Sequence, residues 1–154
     1  MHAKGHFGLT LLVLSVFSIP IGFGPDNVMI FIIIISAGLS SIPDVDIRLG
    51  IKHRGLTHNI LFAIIIGILF GILFGYSSGL VYGLIGFVSG FLGVMLHLLG
   101  DLMTYQPFKP LWPFDKREIS YGFFAAKSKT ANKGFLTLGI VAFMGYIIIS
   151  SGVL

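Results

Sequence analysis

Five apolar stretches occupy most of this chain, at residues 7–24, 27–43, 59–76, 79–99 and 134–154. Each is close to the ~20 residues that a helix needs to cross the hydrocarbon of a bilayer. Lipid offers no water to backbone amides, so such a segment must satisfy its own hydrogen bonds as a helix. The expected fold is therefore an all-α membrane protein: one domain, a compact bundle of five transmembrane helices. Composition agrees, since only 10% of residues are charged, against about 25% in soluble domains.

Only Gly24-Pro25-Asp26 separates the first two stretches, and only Ser77-Ser78 the third and fourth, which predicts two tight hairpins. Lys4 precedes the first stretch, Arg48, Lys52 and Arg54 follow the second, and the rest of the 10 basic residues lie from Lys109 to Lys133. All fall on one side. The positive-inside rule makes that side cytoplasmic, with the N-terminus inside and residues 100–133 forming a cytoplasmic loop. A cleaved signal peptide is the rival reading of residues 1–24, but no small-residue cleavage site follows and four more stretches do. Topology accounts for the net charge of +4, so membrane lipids are the expected partners and nucleic acid is not.

Glycines recur four apart at Gly67, Gly71 and Gly75, then at Gly79 and Gly83, and at Gly86 and Gly90. Ridges of small residues let helix backbones approach closely where lipid supplies no hydrophobic force between helices. They suit a packed hairpin, and a homodimer would use the same surface.

Chemistry is concentrated at the basic side. His2, His6, Asp44, Asp46, His53, His58, His97 and Asp101 come from four separate stretches, and hydropathy brings all of them to one face. With no cysteine in the chain, any transition metal must be held by imidazole and carboxylate. Pro43 ends the second stretch, so Asp44 and Asp46 are expected on irregular backbone where side chains two apart point the same way. In isolation, that pair would be read as surface partners of Arg48, Lys52 or Arg54. Thr57 is the expected N-cap of the next helix, placing His58 in its first turn. His97 and Asp101, four apart, share a helix face, and so would His2 and His6. Ionisable groups at the end of an apolar helix are costly and mark functional sites. Together the donors predict a metal site at the cytoplasmic end, with two ions sharing a bridging carboxylate: Zn²⁺ first, Mn²⁺ or Fe²⁺ as alternatives.

The segments Gly5-His6, Pro43-Asp44-Val45-Asp46, His53-Arg54-Gly55-Leu56-Thr57-His58, His97 to Thr104 and Leu111-Trp112-Pro113 resemble, in order, the YdjM-like membrane-bound metal-dependent hydrolases. The resemblance covers most of the chain, with its motifs between residues 5 and 113, and implies hydrolysis by a bound metal at the inner membrane. One departure is Tyr105-Gln106-Pro107, where that family tends to carry a glycine after the threonine. More distantly, the chain is similar to the zinc-dependent phospholipase C and P1 nuclease group, which also joins an aspartate, a histidine about fourteen residues later and an HxxxD helix. That likeness implies Asp44, His58, His97 and Asp101 around one ion, and His6 with Asp101 on a second.

The expected activity is hydrolysis of a phosphoester in a lipid or other membrane-associated substrate. Arg54 is a candidate phosphate fork, His53 a proton donor to the leaving group, and Asp46 a ligand, base or orienter of His58. Phe108, Trp112 and Phe114 in the loop are expected as membrane anchors rather than substrate contacts. Two other classes compete: a metal-binding or metal-transporting protein without catalysis, and an assembly partner whose polar cluster only joins helices. Transport sites usually lie at mid-bilayer on broken helices, often in repeated halves; these stretches are uninterrupted and show no repeat.

Overall fold

The computed structural model describes residues 1–19 and 27–151. Six helices appear there: α1 Ala3–Ser18, α2 Asn27–Leu39, the one-turn α3 Val45–Arg48, α4 Ile60–Ser78, α5 Leu80–Leu102 and α6 Lys129–Ser150. A 3-10 turn, Ile42–Asp44, joins α2 to α3. Among the described residues there is no strand longer than an isolated bridge, so the expected all-α bundle is what forms. Four segments are long and apolar enough to cross a bilayer, namely Val28–Arg48, Ile60–Ser78, Leu80–Leu102 and Lys129–Ser150. The fifth expected span appears as α1, apolar but only 16 residues long, and the hairpin expected at Gly24-Pro25-Asp26 lies outside the described residues.

α5 is the central helix. It packs along α4 on one side and α2 on another and also touches α1, while α6 returns to lie against α1. The glycine ridges meet as expected: a Cβ on Gly86 would sit 2.5 Å from the Phe70 carbonyl oxygen, and one on Gly90 would sit 3.2 Å from the Gly67 Cα. α4 runs through Ser78, so the hairpin turn falls on Gly79 alone, at φ 93°, a conformation that L side chains rarely adopt. A second close crossing, Gly8 of α1 against Gly139 of α6, was not read from the sequence.

Two apolar clusters fill the interior. Leu11, Ile33, Ala37 and Tyr146 lie between α1, α2 and α6, and Ala63, Ile66, Val94, Leu98 and Phe108 lie between α4, α5 and the long loop. Outward, α4 exposes Ile65, Ile68, Leu69 and Ile72, the face a lipid-solvated helix turns to acyl chains.

α6 begins at Lys129, earlier than hydropathy predicts, because its first turn, Lys-Thr-Ala-Asn-Lys, is polar. Ser128 caps it by accepting from the Ala131 amide at 3.3 Å. Buried Asn132 then accepts the His2 backbone N–H at 2.9 Å, fastening α6 to the start of α1.

Candidate metal centre

α5 forms the base of the site. His97 and Asp101 are both fully buried, with Nε2 and Oδ2 3.7 Å apart one turn along the helix. Their helix stays continuous to Leu102, so the two groups share one face.

Asp44 and Asp46 arrive on helical backbone, which corrects the extended-chain expectation. Pro43 sits in the first turn of the 3-10 helix instead of breaking a helix, since a backbone N–H there has no acceptor within the helix and none is lost. At 3.6 residues per turn, side chains two apart point to nearly opposite sides. The two carboxylates therefore enclose His58 from both flanks: Asp44 Oδ1 is 3.6 Å from its Nε2, and Asp46 Oδ2 is 3.2 Å from its Nδ1. Among the described residues neither carboxylate forms an ion pair with Arg48, Lys52 or the Arg54 guanidinium.

The loop that delivers His58 is organised by Asp46, whose side chain is 1% exposed. Asp46 accepts the Thr57 hydroxyl at 2.9 Å, the Arg54 backbone N–H at 3.1 Å and His53 Nδ1 at 3.1 Å. Because Thr57 donates to Asp46, it does not cap α4. Asn59 does, its Oδ1 accepting the Phe62 amide at 3.0 Å, so His58 precedes the helix instead of sitting in its first turn.

Tautomers follow from these partners. His58 Nδ1 lies 2.9 Å from Thr57 Oγ1, whose own hydrogen goes to Asp46, and His97 Nδ1 lies 2.7 Å from the Ser40 carbonyl oxygen. Neither acceptor has a proton to give, so each Nδ1 carries the hydrogen and each Nε2 presents a lone pair. Those Nε2 atoms are 3.2 Å apart. Asp44 Oδ1 is 3.6 Å from each, and Asp101 Oδ2 is 3.6 Å from His58 and 3.7 Å from His97. A tetrahedral ion with bonds of about 2.1 Å holds its ligands about 3.4 Å apart. The donor set thus fits a divalent cation, and buried Asp101 Oδ2 has no hydrogen-bond donor of its own.

Two further histidines flank this cage. His53, about one-third exposed, groups with Asp44 and His58 as a second set of donors. His6 of α1 is fully buried and stacks on His97 with centroids 3.8 Å apart. Its Nε2 lies 3.4 Å from Asp101 Oδ1, and neither ring nitrogen has a hydrogen-bond partner. Gly100 makes room for it: a Cβ there would come within 2.9 Å of His6 Nδ1.

Asp101 Oδ1 is crowded with positive charge. Arg54 Nη2 approaches to 3.0 Å and the Met1 amino group also contacts it. Arg54 is buried, adopts φ 60°, donates to Thr104 Oγ1 at 2.9 Å and to the Gln106 carbonyl, and stacks over Phe108 at 5.6 Å. Its guanidinium is turned to the carboxylate, so the expected phosphate fork is already engaged.

Of the sequence-read donors, the fold brings together His6, Asp44, Asp46, His53, His58, His97 and Asp101. His2 stays out: it is exposed at the N-cap of α1 in an extended conformation, whereas His6, inside the helix, is fully buried. Phe108 is corrected too, being 2% exposed and part of the core, whereas Phe114 is 79% exposed. Reading by residue type missed the Ser40 carbonyl and Thr104. Their signal was position: Ser40 precedes Asp44 by one turn, and Thr104 follows Asp101 at the helix end.

A model of the family described as YdjM inner membrane protein matches residues 1–153. No curated protein and no solved structure matches the chain.

Proposed function

The chain belongs to the YdjM inner membrane protein family, and from the donor cluster that its helices enclose we propose a membrane-bound, metal-dependent hydrolase acting on a phosphoester of a lipid or other membrane-associated substrate. The observation that carries this reading is the convergence of two carboxylates on a pair of imidazoles: His58 Nε2 and His97 Nε2 are 3.2 Å apart, and Asp44 Oδ1 and Asp101 Oδ2 each lie 3.6–3.7 Å from both. The positive-inside rule puts the cluster at the cytoplasmic end.

A divalent ion held by these four groups supplies Lewis acidity and a bound water whose pKa falls toward ~7. The chain's own residues do the rest. Asp46 takes the Thr57 hydroxyl hydrogen and so leaves Thr57 Oγ1 to accept from His58 Nδ1, the Ser40 carbonyl accepts from His97 Nδ1, and both Nε2 lone pairs stay aimed inward. His53 has Nδ1 on Asp46, which leaves Nε2 as the atom that exchanges a proton with a leaving group. Arg54, clamped between Asp101 and Thr104 and stacked on Phe108, balances the buried carboxylate and closes one wall against water. A second, weaker ion position lies at His6 and Asp101 Oδ1, where Arg54 and the Met1 amine compete for the same oxygen. Zn²⁺ suits the donor set best, with Mn²⁺ and Fe²⁺ next.

The test is purification in mild detergent, elemental analysis, and a screen of lipid and soluble phosphoesters against the His58→Ala and Asp101→Ala variants. Bound metal and turnover that vanish together in both variants support the proposal. Metal-free wild-type protein, or turnover that survives Asp101→Ala, overturns it.

A further inference from the structure

Beside His53 the loop before α4 and the loop after α5 enclose a cavity of about 590 Å³. That volume lies within the roughly 300–1,000 Å³ of ordinary small-molecule sites. Its lining mixes the basic and imidazole groups of Lys52, His53 and Lys109 with the apolar side chains of Ile51, Leu56 and Trp112. His53 also belongs to the donor group with Asp44 and His58, so the cavity abuts the metal centre.

We propose that this cavity binds a membrane amphiphile with a phosphate-bearing headgroup, the phosphate against Lys52, His53 and Lys109 and the chains along Ile51, Leu56 and Trp112. The inference rests on the hydrolase reading of the adjoining cluster and gives that reading its substrate class.

Charge is the first support. Lys52 is exposed and forms no ion pair among the described residues, so its ammonium is available to an anion. Lys109 is held only by Glu118, at 3.7 Å, with the two side chains 46% and 58% exposed. Such an exposed pair is weak, so a phosphate can take the place of the Glu118 carboxylate. Arg54, by contrast, is committed to Asp101.

Location is the second support. Of the lining side chains, Ile51 is 48% exposed and Leu56 72%, and next to the lining residues in the chain, on backbone outside the long helices, Leu49 is 69% exposed and Leu111 42%. Large aliphatic side chains at the end of membrane helices are favourable when they enter the boundary between headgroups and acyl chains. Trp112, half-buried in the wall, is of the residue type that favours that same layer. The opening therefore meets the membrane surface, where an amphiphile can enter sideways without leaving the bilayer.

Trp112 is the sole tryptophan of the chain, so intrinsic fluorescence reports on the cavity directly. The full chain in maltoside micelles would be titrated with dihexanoyl phosphatidic acid, dihexanoyl glycerol and inorganic phosphate. Expected is a saturable change with the phosphatidic acid, at least tenfold weaker for the other two ligands and for the Lys52→Ala/Lys109→Ala double variant, whose altered side chains lie at the surface. An absent response to the phosphatidic acid overturns the inference, as does an equal response to phosphate, to the neutral glyceride, or in the double variant. Cleavage is scored separately. Saturable binding without turnover leaves the inference standing and sinks the hydrolase; turnover of a soluble phosphoester without amphiphile binding does the reverse.

Discussion

Along the α4/α5 hairpin, Gly67, Gly71, Gly83, Gly86 and Gly90 bring two backbones nearly into contact, and no charged group is present between them. At the far end of the same α5, His97 and Asp101 lie within 4 Å of groups from α1, the 3-10 turn and the loop before α4. The hairpin is held by many weak, repeated contacts between adjacent segments, each replaceable in part by its neighbours. In the centre each polar group has one or two specific partners, and buried charge without a partner is costly. A change in the hairpin should therefore spread its cost into stability, whereas a change in the centre should remove function at once.

Asp101→Ala should have the largest effect. It leaves Arg54 and the Met1 amine without their shared carboxylate, and breaking a buried pair costs about 3–5 kcal/mol. Bound metal should disappear by elemental analysis and the melting temperature in detergent should fall; a variant that keeps its metal would erase the contrast between the two regions. Next comes Asp46→Asn, which removes the negative acceptor facing His58 and His53. Loss of such a supporting group lowers metal affinity about 10–100-fold. Chelator competition would measure it, and unchanged affinity would reduce Asp46 to a loop fastener.

Gly86→Ala probes the other region. Its Cβ would meet the Phe70 carbonyl oxygen at 2.5 Å, and forced overpacking costs about 1–3 kcal/mol. Thermal stability should drop while the metal-to-protein ratio stays at the wild-type value. Gly100→Ala should behave in the opposite way. Its Cβ would meet side chains and not backbone, His6 Nδ1 at 2.9 Å and Leu9 at 3.1 Å, so stability should fall less than in Gly86→Ala while displacement of the His6 ring lowers occupancy on that side. Smallest is Gly38→Ala, whose Cβ meets nothing within 4 Å; helix propensity alone should stabilise it, by up to about 1 kcal/mol. Should Gly86→Ala strip metal, or Gly100→Ala cost as much stability as Gly86→Ala, the division between scaffold and site is wrong.

The spans were legible because hydropathy is a local property. α4 and α5 fall close to the expected residues, and the pairing of Gly67 with Gly90 follows from their spacing once the turn is placed. Donor identity was equally legible, since a polar group at the end of an apolar helix has few other uses. What failed depended on competition between neighbours. Thr57 and Asn59 are both good caps, and Thr57 was claimed by Asp46, a residue eleven positions away. Arg54 could be counted toward the inside-positive side, yet its burial against Asp101 needs a contact forty-seven residues along the chain (101 − 54). The polar first turn of α6 carries no hydropathy signal at all, although Asn132 within it fastens the start of α1.

By itself the sequence determined that this chain crosses a bilayer as helices, that its imidazoles and carboxylates gather at one end, and that no thiol joins them. Those properties follow from residue type and spacing along a single segment. The tertiary structure alone decided that Asp46 orients His58, that Arg54 answers Asp101, that His2 stands apart and that Phe108 is core. Each of these is a choice among partners brought together from distant segments. Such a choice is settled by distance and by which hydrogen-bonding groups remain unclaimed, and neither quantity exists until the helices have packed.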